Sequence, residues 1–307
     1  MKGRVIKSTG SWYLVHTDQG ILSARLKGKF KQDELKLTNP IAVGDWVALE
    51  KEEGQESAVI HEIFPRDNYV IRKSTRKQHF SHIIASNIDQ AILVITMKKP
   101  RTSLGFIDRF LVATESYGIP TLLVVNKMDQ LEGDDEMDWL QDIHEIYVPL
   151  GYPVVEVSAL EDKDLDSKLL PYIQGKSNLI SGHSGVGKST LLNALLPHAK
   201  QETKEVSDYS AKGVHTTTFA ELFFLPGSGD LIDTPGIKEF GILDVAEEEL
   251  SHFFPEMRQY LGQCKYNNCT HVNEPGCVVL AKLNEGYIHP YRYQSYLNIL
   301  SEEDSHR

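Results

Sequence analysis

Gly182-His183-Ser184-Gly185-Val186-Gly187-Lys188-Ser189 fills every fixed position of the pattern G-x-x-x-x-G-K-[ST]. Leu179-Ile180-Ser181 before it is a short strand-like run. Ser189 to Leu196 after it opens a helix, with Thr190 in its first turn, and Pro197 stops it. Glycines let the backbone fold so that several N–H groups point inward at phosphate oxygens. The helix N-terminus adds partial positive charge at the same spot. The pattern therefore predicts a phosphate-binding loop, with Lys188 reaching the β- and γ-phosphates and the Ser189 hydroxyl on Mg²⁺. A solvated lysine beside a glycine-rich turn would not require the strand–loop–helix frame.

Asn126-Lys127-Met128-Asp129 lies 56 residues before Gly182, at the end of the apolar run Pro120–Val125. Open α/β sheets bind ligands at such strand ends. The Asp129 carboxylate can accept from N1–H and N2–H₂ of guanine. Adenine lacks both donors, so a buried Asp129 would reject it. The Lys127 stem can cover the base, and Asn126 can tie loops together. Ser158-Ala159, after the run Val154–Glu156, fits a supporting loop under the base. In an ordinary GTP-binding domain the phosphate loop precedes the base reader. The reversed order predicts a circularly permuted GTPase.

Two fragments follow the phosphate loop. Asp230-Leu231-Ile232-Asp233-Thr234-Pro235-Gly236 has the D-x-x-G form after a strand. Asp233 is expected to hold Mg²⁺ through water, and the Gly236 N–H to sense the γ-phosphate. Between them, Lys212 to Thr218 suits a switch segment, with Thr216 or Thr217 as a further Mg²⁺ ligand. Many GTPases carry a water-orienting glutamine directly after D-x-x-G, but Ile237 stands here. Slow intrinsic hydrolysis is expected, with His215 as the candidate for positioning water and with Lys188 and Gly236 completing the catalytic set. A switch histidine with a structural or partner-contact role fits His215 equally well. The His183 side chain is expected to point away from the γ-phosphate. Gly236 runs on through residues 237–240 into the C-terminal segment, so nucleotide state is expected to reorient that segment.

All three cysteines lie in Cys264-x4-Cys269-x-His271-x5-Cys277. Three thiolates and an imidazole suit tetrahedral Zn²⁺, and four protein ligands make a closed, structural site. Three free buried thiols are the alternative; an odd count without signs of secretion disfavours a disulfide. Val245–His252 and Tyr291–Leu300 read as flanking helices, with Tyr293, Tyr296, Leu297 and Leu300 as a stripe packed on the zinc loop.

Residues 1–66 read as short strands separated by turns, which suits an oligonucleotide-binding (OB) barrel. Such barrels track nucleic-acid backbones with basic residues and stack bases on aromatics. Trp12, Tyr13, Arg25, Lys27, Lys29, Phe30 and Lys31 are the RNA-contact candidates, although Trp12 or Tyr13 could equally be core. The net charge of −11 excludes a protein that coats nucleic acid, yet residues 1–80 hold 14 Lys+Arg against 10 Asp+Glu. Arg66, Arg72, Lys73, Arg76 and Lys77 form a basic linker that could meet phosphates or simply be solvated. The apolar stretch Ala91–Met97 is too short to span a membrane, and the N-terminus lacks a signal-peptide core. No membrane association and a cytoplasmic location are expected.

Base reader, supporting loop, phosphate loop, switch, D-x-x-G and cysteine cluster follow one another in this order, and the chain resembles the ribosome small-subunit-dependent GTPase A family over nearly its whole length. The resemblance implies an N-terminal all-β OB-type barrel (1–66), a central α/β P-loop GTPase, circularly permuted (67–240), and a mostly helical zinc-binding module (241–307). It implies zinc at the four C-terminal ligands and supports a histidine at His215. It also implies GTP and GDP as ligands and the small ribosomal subunit, with its rRNA, as the partner that stimulates hydrolysis during late maturation. Other maturation factors are possible partners, and a monomer is expected. The alternative is a nucleotide-gated RNA- or ribosome-binding module in which hydrolysis is incidental.

Overall fold

The computed structural model describes residues 1–27, 40–52, 54–55, 57–73, 81–196, 220–225, 227–234 and 245–304, with Arg72, Lys73, Ser81, His82 and residues 302–304 described by backbone alone. The centre is a sheet ordered β10 (Val154–Glu156), β9 (Thr121–Val125), β8 (Gln90–Ile95), β11 (Ser177–Ser181), β13 (Asp230–Asp233), β12 (Glu221–Phe224). The first five run parallel and β12 is antiparallel. Strands covered on both faces read as continuous apolar runs, and β8 and β9 are buried at every position. Their side chains alternate between two cores. Leu93, Ile95, Leu123, Val125 and Leu179 face α1 (Leu104–Ser116) and α2 (Asp134–Tyr147). Ile92, Val94, Leu122, Val124 and Ile180 face α3 (Leu165–Ile173) and α4 (Lys188–Leu195). The parallel strands thus present their C-terminal ends along one edge, where the motif loops emerge.

β1 (Lys2–Ser8), β2 (Tyr13–Thr17), β3 (Gly20–Leu26), β4 (Trp46–Lys51) and β5 (Ala58–Ile63) form a barrel around Val5, Val15, Ala24, Leu49 and Ile60. The order β1-β2-β3-β5-β4 is closed by β1–β4 pairing, with β3 and β5 parallel. A hairpin of β6 (Tyr69–Lys73) and β7 (Ser81–Ser86) follows and joins the barrel at Val43 and Ala85. β1 also adds to the edge of β12, making one sheet of 11 strands.

The C-terminal region is a 3₁₀ turn (Glu247–Phe253) and helices α5 (Pro255–Arg258), α6 (Val278–Asn284) and α7 (Pro290–Asp304) around Phe254, Val279, Ile288 and Tyr296. The segment read as helical at 245–252 is thus 3₁₀. Its threefold repeat places Leu250 and Phe253 above one another on that cluster. Among the described residues no helix is long and apolar enough to cross a membrane.

Candidate functional site

β11 delivers the phosphate loop and α4 receives it. Gly182, Gly185 and Gly187 have φ of +142°, +86° and +96°, a region closed to most side chains. A Cβ on Gly182 would run into the Val94 carbonyl, and one on Gly187 into the Asn126 amide. The loop therefore lies against β8 on one side and the base reader on the other. Val186 is fully buried and pins it to the α4 core. Lys188 Nζ donates to the Gly182 and His183 carbonyls, 2.7 Å each. The His183 ring stacks on Phe106 of α1 at 3.7 Å. Ser184 and Ser189 are exposed, and Thr190 is half-buried.

Asn126, 1% exposed, links three loops. Its Nδ2 donates to the Val186 carbonyl at 2.8 Å, and its Oδ1 accepts from Ala159 N at 3.0 Å. Lys127, with φ of +67°, donates through Nζ to the Gly185 carbonyl at 2.7 Å. The Ser158 hydroxyl donates to Asp129 Oδ1 at 2.5 Å. Ser158 N in turn donates to Asp162 Oδ2 at 2.7 Å, and Lys168 holds the same oxygen at 2.8 Å. Asp162, which sequence reasoning missed, thus fixes the residue that aims Asp129. Asp129 itself is exposed. The burial on which adenine rejection rests must come from the base covering it, a correction to the expectation of a buried carboxylate.

Asp233, 9% exposed, ends β13 in register with Ile180, two residues before Gly182. Burial pushes the Asp233 carboxyl up, and Lys188 pulls it back. Burial likewise pushes the Lys188 ammonium down, and Asp233 offsets this. The half-buried Lys188 ammonium and the buried Asp233 carboxylate thus feel each other's charge beside this loop. A carboxylate and the nearby Ser189 hydroxyl are hard oxygen donors, the kind Mg²⁺ takes. His215, Thr216, Thr217, Gly236 and Ile237 lie outside the described residues.

Cys264, Cys269, His271 and Cys277 present four donor atoms within 4.8 Å of one another. Tetrahedral zinc with Zn–S bonds near 2.3 Å requires donor separations of about 3.5–3.8 Å. Cys264 Sγ lies 4.0 Å from Cys277 Sγ, and His271 Nδ1 lies 3.6 and 3.4 Å from these sulfurs. The set fits zinc. Burial pushes the Cys269 thiol up to about 12 and also raises Cys277, so thiolates here call for a cation. N–H groups of Val278 and Leu280, in the first turn of α6, donate to Cys264 and Cys277 sulfurs. The tyrosine stripe of α7 does pack on this loop: Tyr293 and Tyr296 hydroxyls donate to the His271 and Thr270 carbonyls at 2.8 and 2.6 Å.

On the barrel, Trp12 is 45% exposed and borders a hollow of about 640 Å³ with Ile21, Leu22 and Lys51. Tyr13 is a core residue and not a contact. Lys27 is exposed, and Arg25 is exposed but paired with Glu52 at 2.6 Å. Lys29, Phe30 and Lys31 lie outside the described residues. Arg66 is unavailable to RNA: it forks onto Asp45 with two 2.6 Å bonds and donates to the Pro40 carbonyl.

Comparison with known proteins agrees with this geometry. The family described as RsgA GTPase matches residues 63–243, and the RsgA N-terminal domain matches residues 2–60. A Bacteroides fragilis protein named small ribosomal subunit biogenesis GTPase RsgA is 47% identical over 99% of this chain and 97% of its own. A Cytophaga hutchinsonii protein of the same name is 48% identical over the whole of both chains. The crystal structure of YjeQ from Thermotoga maritima superposes with a TM-score of 0.77 at 34% identity, covering 98% of this chain and 97% of that one. YloQ, described as a circularly permuted GTPase, gives 0.76 at 31%, covering 100% and 96%. With one family model spanning most of the chain and full-length relatives near half identity, this chain belongs to the RsgA GTPase family.

Proposed function

We propose that this GTPase binds GTP across the reversed motifs, hydrolyses it to GDP and phosphate, and acts in biogenesis of the small ribosomal subunit. The single observation carrying the nucleotide site is Asn126, which bonds Val186 of the phosphate loop and Ala159 of the supporting loop at once. Base reader and phosphate loop thereby become one cradle although their order in the chain is inverted. In this reading residues 182–190 hold the phosphates, Asn126, Lys127 and Asp129 with Ser158 and Ala159 hold guanine, and Lys188 stabilises charge on the γ-phosphate. Ser189 and Asp233, with Thr216 or Thr217, would hold Mg²⁺, which when bound neutralises charge on the β- and γ-oxygens. His215 would orient the attacking water and Gly236 would sense the γ-phosphate.

The printed names of the relatives support the ribosomal assignment. Working units of residues 1–66, 67–240 and 241–307 fit it, with Trp12, Arg25, Lys27, Lys29 and Lys31 toward rRNA and zinc at the four C-terminal donors. The protein would act as a monomer in the cytoplasm, alongside other maturation factors. Steady-state hydrolysis alone, with small subunits and with large subunits is the test. Stimulation by small subunits alone is expected. Tight GTP-dependent binding without stimulation would favour the nucleotide-gated binding module instead.

A further inference from the structure

The loop between β8 and α1 belongs to none of the motifs, yet it reaches the base reader. Lys127 Nζ, which donates to Gly185, donates equally to the Lys99 carbonyl at 2.7 Å. Lys99 has φ of +48° and Lys127 of +67°, both in the left-handed region that non-glycine residues seldom adopt. The two left-handed residues therefore meet carbonyl to ammonium. Pro100 of the same turn stands against the Gly185 backbone.

A buried polar ring holds that turn. Thr96 and Thr102 are both fully buried. Thr96 Oγ1 donates to the Pro100 carbonyl at 2.6 Å, and Thr96 N donates to Thr102 Oγ1 at 3.1 Å. Thr102 N returns a bond to the Thr96 carbonyl at 2.9 Å, and Trp139 Nε1 of α2 donates to the Thr102 carbonyl at 3.2 Å. Lys98 adds pairs with Glu132 and Glu136 at 3.2 and 3.5 Å. Of these bonds, the one from the Thr96 hydroxyl fixes the peptide next to Lys99.

We propose that Thr96 is a positioning residue of the guanine-nucleotide site, acting through Lys127. By fixing the Pro100 carbonyl it presents the Lys99 carbonyl to the Lys127 ammonium. That second acceptor holds the lysine stem in place and ties the base reader to the phosphate loop. The inference rests on the GTP site proposed above. Valine matches threonine in shape but leaves the Pro100 carbonyl without its donor. The contact concerns base and loop rather than the γ-phosphate, so GTP and GDP weaken alike and turnover at saturating GTP holds.

The test is calorimetric titration of the full chain with GDP and with GTP, together with kcat and KM. Thr96→Val is expected to weaken both nucleotides roughly tenfold, with KM rising and kcat unchanged. Thr96→Ser, which keeps the hydroxyl, is expected to bind as the unmodified protein does. In a Lys127→Ala background Thr96→Val is expected to add nothing, because its effect passes through that ammonium. Thr96→Ala, which removes the same donor without adding valine's second methyl, is the second variant, with the same expectations, should Thr96→Val not fold. Unchanged affinity in these variants, or an equal loss with and without Lys127, overturns the proposal. If the unmodified protein binds neither nucleotide, the GTP site itself is refuted; if it binds and the variants match it, only the role of Thr96 falls.

Discussion

The barrel joins the central sheet through one strand pair flanked by partly solvated ion pairs, whereas the C-terminal module joins it through a fully buried charge set. At the first junction β1 pairs with β12, Lys7 faces Glu221 at 3.0 Å, and Arg4 bonds Asp230 at 2.6 Å and Ser177 at 2.7 Å. At the second, Arg292 of α7 is 1% exposed and bonds Asp108 of α1 at 2.7 Å and Glu256 at 2.6 Å. Tyr147 of α2 donates to the same Asp108 oxygen at 2.7 Å, and the Arg292 guanidinium lies 4.7 Å from the Phe254 ring. At the sheet edge, loss of a partly solvated partner such as Lys7 leaves the strand pairing in place. In the buried charge set, removing one member strands the others in low dielectric.

The two junctions also touch different parts of the site. The barrel grips the β12–β13 hairpin, whose last residue is Asp233. The C-terminal module grips α1, where Phe106 meets His183 of the phosphate loop two residues before Asp108. Covalent continuity from Gly236 suggested a module that swings with nucleotide state. A buried triad spanning α1 and α7 opposes that, since free swinging would require separating it.

Four perturbations sharpen the contrast. The largest expected effect is zinc removal. A strong chelator should cost the module on the order of 10 kcal/mol of metal-linked stability. Amides from 264 to 300 should then exchange quickly while the barrel strands stay protected; equal loss in both regions would refute independent anchoring. Next, Arg292→Ala should destabilise the protein by about 3–5 kcal/mol in urea unfolding. Replacing the whole set by apolar residues, Arg292→Met, Glu256→Met and Asp108→Leu with Tyr147→Phe, should recover much of that. Third, Arg4→Ala should cost about 1–3 kcal/mol, because Asp230 is buried and keeps only Ser177 as its side-chain partner. Smallest is Lys7→Ala, below about 1 kcal/mol by the same measurement, since the pair is partly solvated. A Lys7 effect rivalling that of Arg292 would erase the distinction.

Much of the architecture was legible because its signals are local. The strand–glycine–helix frame read around residues 182–189 is the one observed between β11 and α4, and alternating short strands identified the barrel. Three cysteines around one histidine identified the donor cluster that the structure gathers. What was not legible depends on distant partners. Arg66 looked like part of a basic linker, but its meaning lies in Asp45, 21 positions away. Arg292 sits in Tyr291-Arg292-Tyr293 like any solvated helix arginine, and its Asp108 partner is 184 positions away. Thr96 and Thr102 bracket Lys98-Lys99-Pro100-Arg101, which reads as a plain basic turn until Lys127 is seen to reach it. Asp129 differed in the opposite sense: its neighbourhood with the Ser158 loop was legible, but its exposure was not.

The central claim is that base reader and phosphate loop form one guanine-nucleotide site despite their inverted order. Titration of the unmodified protein and of Asp129→Asn with GTP and XTP tests it most directly. Xanthine carries a C2 carbonyl where guanine carries its amine, so an asparagine amide can donate where the carboxylate could only accept. The account predicts tight GTP and weak XTP binding for the unmodified protein, and the reverse for Asp129→Asn. GTP binding that is indifferent to the substitution would contradict it, since the phosphate loop would then be acting without Asn126–Asp129 as its base reader.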